Sequence, residues 1–162
     1  MPESELPPLD TNLWFESLER LRGAACGSAE QIEKRLRQSY YLASLAPPAF
    51  AKFANRELPE ADFEALLAHS AFETAAVLLV GRTLSFEIVR TLPGPEVSAR
   101  VWASDICGEA HAASGCVASA LIKAWLEFLL QLKGREQDLL PAARPKGRRK
   151  SQSAPPRKPI LH

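Results

Sequence analysis

The densest run of side chains able to do chemistry lies between residues 105 and 116. Asp105, Cys107, Glu109 and His111 stand at alternate positions, and Cys116 follows five residues later. Alternate residues of an extended strand point to one face, so the first four would share a side of any strand formed here. Thiolate, imidazole and carboxylate are zinc ligand types, which makes Cys107, Glu109, His111 and Cys116 the metal-ligand candidates. Their spacing fits none of the paired patterns of zinc domains. The same alternation arises in a strand that turns polar residues to water and Ala110 and Ala112 to a core, and that is the expectation: no metal and no cofactor. A Cys107–His111 nucleophile and base meets a distance problem. Four residues of strand span about 13 Å, and a base must come within about 3 Å of its nucleophile. A bend at Gly108 would be required. No Gly-x-Ser-x-Gly elbow, phosphate-binding glycine loop or His-Glu-x-x-His occurs in the chain. No catalytic residue is assigned, and a metal- or thiol-dependent enzyme at Cys107, Glu109 and His111 stands as an alternative.

The second chemistry is electrostatic. Residues 141–162 hold Arg144, Lys146, Arg148, Arg149, Lys150, Arg157 and Lys158 and no acidic side chain. The other 140 residues hold 13 basic and 19 acidic side chains, a net charge of −6, although the whole chain is only +1. Pro, Ser, Gln and Gly between the basic residues leave too little apolar surface for a core, so 141–162 reads as a disordered basic tail. Such tails hold phosphates, acidic proteins or anionic membranes by charge, and they also serve merely to keep a protein soluble. Pro156-Arg157-Lys158-Pro159 fits a PxxP ligand as well, a pattern too short to carry weight alone.

The elements that would position these groups follow from periodicity. Residues 1–9 are rich in Pro and Glu and predict disorder. Asp10, Thr11 and Asn12 suit a helix start, Trp14, Leu18 and Leu21 recur at helical spacing, and Gly23 suits a stop. Ser28 and Gln31 have capping-box spacing, so a second helix should begin near Ala29. It carries the stripe Ile32, Leu36, Tyr40 and Ala43 and ends before Pro47-Pro48. Phe50 and Phe53 can plug the core from one turn. From Pro59 a single long helix is predicted through Phe63, Leu67 and Thr74 to Gly81, apolar nearly all round after Ala75 and so buried or paired with another chain.

The period then changes to two. Leu84, Phe86 and Ile88 form one strand, Leu92-Pro93-Gly94-Pro95 a turn, and Val97, Ala99, Val101 and Ala103 the buried side of a second strand opposite Ser98, Arg100 and Trp102. A short third strand is expected over 106–112. Ser114 can cap a last helix whose stripe is Val117, Leu121, Ala124, Phe128 and Leu132, ending at Gly134. The sum is an α+β fold. An αβββα core over 59–134 has its small antiparallel sheet packed on helices, is preceded by an N-terminal helical pair within 10–58, and is followed by the tail.

The stretch from the 84–89 strand, through the Trp-bearing strand 97–104, to Gly108-Glu109-Ala110-His111-Ala112 and the Ala-rich helix 118–129 resembles the small alpha-beta-alpha sandwich domain of phage and prophage proteins. The resemblance covers about residues 60–132 and implies a phage or prophage origin in a bacterium. That family has no assigned catalytic residues, so it implies none here. The αβββα order is also that of double-stranded RNA-binding domains, which grip phosphates with lysines at the start of the last helix. Here that position reads Ser114-Gly115-Cys116-Val117-Ala118-Ser119, with no basic residue. Recognition of an RNA duplex by the folded part is therefore not expected.

Length and composition bound the rest. One domain fits in 162 residues. The longest apolar run, Ala75 to Val80, is far short of the ~20 residues of a membrane span. Three cysteines (Cys26, Cys107, Cys116), without a framework spacing or a secretory leader, suit reduced thiols in the cytoplasm. Trp14, Tyr40 and Tyr41 could stack on bases, but they sit at core spacing. The expected partners are nucleic acid through the tail, and a second copy or another protein through apolar helix surface. The leading expectation is a small non-catalytic accessory protein; a purely structural or oligomeric module with an idle tail is the alternative.

Overall fold

In a computed structural model, residues 7–54 and 58–140 are described. The tail, with Arg144, Lys146, Arg148, Arg149, Lys150, Arg157 and Lys158, lies outside the described residues, as does 1–6. The fold is α+β. Helices α1 (Thr11–Arg22) and α2 (Ala29–Ser44) are followed by a 3-10 turn, Ala51–Phe53, and by α3 (Glu60–Ala68) and α4 (Phe72–Val80). Strands β1 (Ser85–Arg90), β2 (Val97–Trp102) and β3 (Glu109–Ser114) lead into α5 (Val117–Gln131) and the short α6 (Glu136–Leu139). The sheet is antiparallel in the order β1-β2-β3. No helix among the described residues is long and apolar enough to cross a membrane.

Local chemistry accounts for the N-terminal pair. Asp10 caps α1 by accepting from the backbone N–H of Asn12 and Leu13. Ser28 and Gln31 form the reciprocal capping box of α2. Leu9, within the stretch expected to lack order, donates its N–H to Leu45 O at 2.9 Å and packs against the core.

The core is one cluster running from α1 to α5. Trp14 stacks on Phe50 with ring centroids 5.5 Å apart and donates its indole N–H to Leu42 O. Phe50 and Phe53 are buried as expected, and Trp125 of α5 donates to Phe53 O. The 3-10 turn is thereby pinned between α1 and α5. Helix α5 lies under β2 and β3, α4 packs on α5, and α1 and α2 pack against α5 and α4 respectively. Trp14 and Tyr40 are buried, and Tyr40 stacks on Phe63 at 4.6 Å, so neither ring is open to a base; Tyr41, expected at core spacing with them, is instead exposed and donates its hydroxyl to Glu60 Oε1.

Three expectations are corrected. The long helix from Pro59 to Gly81 is two helices. Ser70 takes φ 55°, Ser70 N–H bonds to Leu67 O, and Ala71 N–H bonds to Leu66 O. This is a Schellman stop with serine in the place glycine usually fills, so the sequence carries no visible punctuation. The third strand is 109–114 rather than 106–112. Its pairing begins where Trp102 faces Glu109, and beyond Trp102 there is no β2 left to pair with. Finally, Ser114 does not cap α5. Cys116 holds the cap position without a side-chain bond, while Ser114 Oγ donates to Ser119 Oγ at 2.9 Å.

Candidate functional site

Strand register decides which polar groups meet. Arg100 in the middle strand lies directly between Glu87 of β1 and His111 of β3, and Trp102 lies beside Glu109. These residues share the sheet face opposite the helices. The Arg100 guanidinium sits 4.5 Å from the Trp102 ring centroid, 3.9 Å from a Glu87 oxygen and 3.8 Å from a Glu109 oxygen. Arg100 Nε is buried and makes no hydrogen bond. The cation is thus held by a ring face and two flanking carboxylates.

Glu109 also pairs with His111, Oε1 to Nε2 at 3.0 Å. That bond, with Arg100 nearby, holds the Glu109 carboxyl below its ordinary range. Both residues line an open cleft of about 370 Å³ at the β3 edge, bounded by Arg22 at the end of α1 and by Lys123, Glu127 and Gln131 of α5. Arg22 pairs with Glu127 at 3.5 Å, and Gln131 Nε2 donates to Glu109 O at 3.0 Å. Among the described residues Lys123 is the one cation of the cleft without an ion pair. Sequence reading did not single out this wall. The signal was present as Lys123, Glu127 and Gln131, four residues apart on an otherwise apolar helix, which places them on one face.

The polar run from Asp105 to Cys116 is dispersed. Asp105 and Cys107 precede β3 and so do not share its face. Asp105 bonds to Lys52 Nζ at 2.7 Å, which lowers the pKa of its carboxyl. The exposed Cys107 offers its carbonyl to Arg135 Nη1 at 3.0 Å. Cys116 lines a separate recess with Ile32, Phe72 and Ala118. Only Glu109 and His111 are brought together. Among the described residues no group of three His, Cys, Asp or Glu side chains is placed to hold a metal ion.

No family model matches the chain, and no curated protein or solved structure matches it either.

Proposed function

We propose that this is a non-catalytic accessory protein of the cytoplasm, of phage or prophage descent. Its folded body makes protein contacts, and its basic C-terminal residues hold nucleic acid without sequence preference. The single observation that carries this is charge segregation: seven cations and no anion in residues 141–162, against a net charge of −6 over the preceding 140 residues. The body repels phosphate, so binding falls to the tail. Arg100, the cation at the centre of the open sheet face, is already flanked by Glu87 and Glu109. Cys107 lies in the bend before β3, while Glu109 and His111 lie on the paired strand, and this separation favours a non-catalytic role over chemistry at Cys107, Glu109 and His111.

The test is fluorescence anisotropy with labelled single- and double-stranded DNA over a salt series. It compares the natural chain with a full-length variant in which all seven tail cations are glutamine. The natural chain should bind, with a log–log salt slope of up to about −6 on duplex DNA if seven phosphates are neutralised. The variant should not bind. No binding by the natural chain at low salt refutes the proposal and leaves the structural module with an idle tail.

A further inference from the structure

The two edges of the sheet are treated differently. On the β3 side, Gln131 donates to Glu109 O, and Arg135 donates to Cys107 O just before the strand. On the β1 side, among the described residues, no side chain or loop bonds to the outward backbone of 85–90. Among the described elements, β1 packs extensively against β2 alone, because α5 lies under β2 and β3. Apolar groups remain in the open on the strand, Phe86 being 36% exposed and Val89 48%, and Leu92 in the turn just after it is 80% exposed. An exposed edge strand carrying unpaired N–H and C=O groups beside apolar side chains is a template for another strand.

We infer that the β1 edge pairs antiparallel with the β1 edge of a second copy, joining two three-stranded sheets into one of six strands about a two-fold axis at Ile88. The strand's own sequence selects this occupant and register. A two-fold axis perpendicular to the sheet keeps each residue on its own face, so it must pass through a residue position. Centred on Glu87, it sets two glutamates opposite each other, which is repulsive. Centred on Val89, it pairs only 88–90 within the strand. Centred on Ile88, it pairs all of 86–90: Ile88 meets Ile88 of the second copy, Phe86 meets Arg90, and Glu87 meets Val89. No like charges then face each other directly, and Arg90, which has no ion pair among the described residues, gains an aromatic partner. The whole chain at net +1 sets up little repulsion between copies. The inference rests on the proposed role of the body as a contact module and places that contact on a strand edge instead of a helix surface. It is independent of nucleic-acid binding by the tail.

The register gives a signed test. Full-length protein, without nucleic acid, is weighed by sedimentation over two decades of concentration, alongside Val89→Glu and Val89→Lys. Val89 is exposed on the outer face, so neither change disturbs the core, and circular dichroism checks that both variants fold. The natural chain should be a dimer. Val89→Glu places a glutamate opposite Glu87 twice per dimer and should weaken it roughly tenfold. Val89→Lys places a cation there and should hold the dimer at least as tightly. A monomeric natural chain, a dimer indifferent to Val89→Glu, or equal weakening by both variants overturns the inference. Because no DNA is present, failure of the tail to bind leaves this result untouched.

Discussion

Arg35 of α2 donates from its guanidinium to the carbonyl oxygen of Arg22 at 2.9 Å, from a side chain that is 2% exposed. A second bond runs to Ala24 O at 3.4 Å. No carboxylate pairs with it among the described residues, and its Nε is unbonded. The cation is held by the negative C-terminal end of α1 and by the carbonyls that end leaves unsatisfied. Arg35→Ala removes both bonds and opens a void, and should cost about 3 kcal/mol in urea unfolding. Arg35→Met keeps the volume and sheds the unbonded N–H, and should cost about 1 kcal/mol. Arg35→Lys buries the same charge without the planar fork and should be worse than methionine. If lysine proves the mildest change, net charge at the helix end matters and the fork does not.

Ser70 is held at φ 55° between α3 and α4. Left-handed backbone costs a residue with a Cβ roughly 1 kcal/mol, and glycine avoids that cost while losing more entropy on folding. Ser70→Gly should therefore stabilise the fold by about 0.5 kcal/mol, and the β-branched Ser70→Val should destabilise it by more than about 1 kcal/mol. Thermal melts of the two variants give opposite signs if the helix break is fixed by this turn.

These two residues mark where the sequence ran out. Asp10, the Ser28–Gln31 box, the 97–103 alternation and the α5 stripe are local signals, and each element formed near its predicted place. The break at Ser70 was invisible because the stop lies in backbone geometry, and serine only tolerates it. Nothing in the local sequence marks Arg35 as buried, and only the placement of α1 over α2 makes it a core residue. The polar run from Asp105 to His111 misled because strand length is set by the partner: β2 stops at Trp102, so only Glu109 and His111 share a face. The cleft wall on α5 required knowing which helix face meets β3.

Acid should expose the surface pairs. Arg37 makes a two-pronged contact with Glu64 at 2.8 and 2.9 Å, which lowers the Glu64 pKa; Lys52 does the same to Asp105. A carboxyl whose folded pKa is depressed adds stability that is present above its unfolded pKa and is lost as pH falls through the folded value. Urea midpoints should thus drop from pH 5 downward, with Arg37→Gln flattening part of that limb. All four side chains are more than a third exposed, so the Arg37–Glu64 contribution is about 0.5 kcal/mol at most and shrinks with salt. An acid limb unchanged by Arg37→Gln would show that the pair does not persist in solution.

The Glu109–His111 pair offers a direct reading of the cleft. The hydrogen bond from His111 is the main cause of the lowered Glu109 pKa, and Arg100 adds a smaller pull. Carboxyl ¹³C titration should place Glu109 below an ordinary glutamate in the natural chain. His111→Ala should return it most of the way, and Arg100→Gln should return it less. Both side chains of the pair are more than half exposed, so neither change should unfold the protein. If Arg100→Gln proves the larger effect, the open sheet face rather than the cleft rim controls this carboxylate. Glu109 would then belong with Glu87 as one of two counterions holding Arg100 over Trp102.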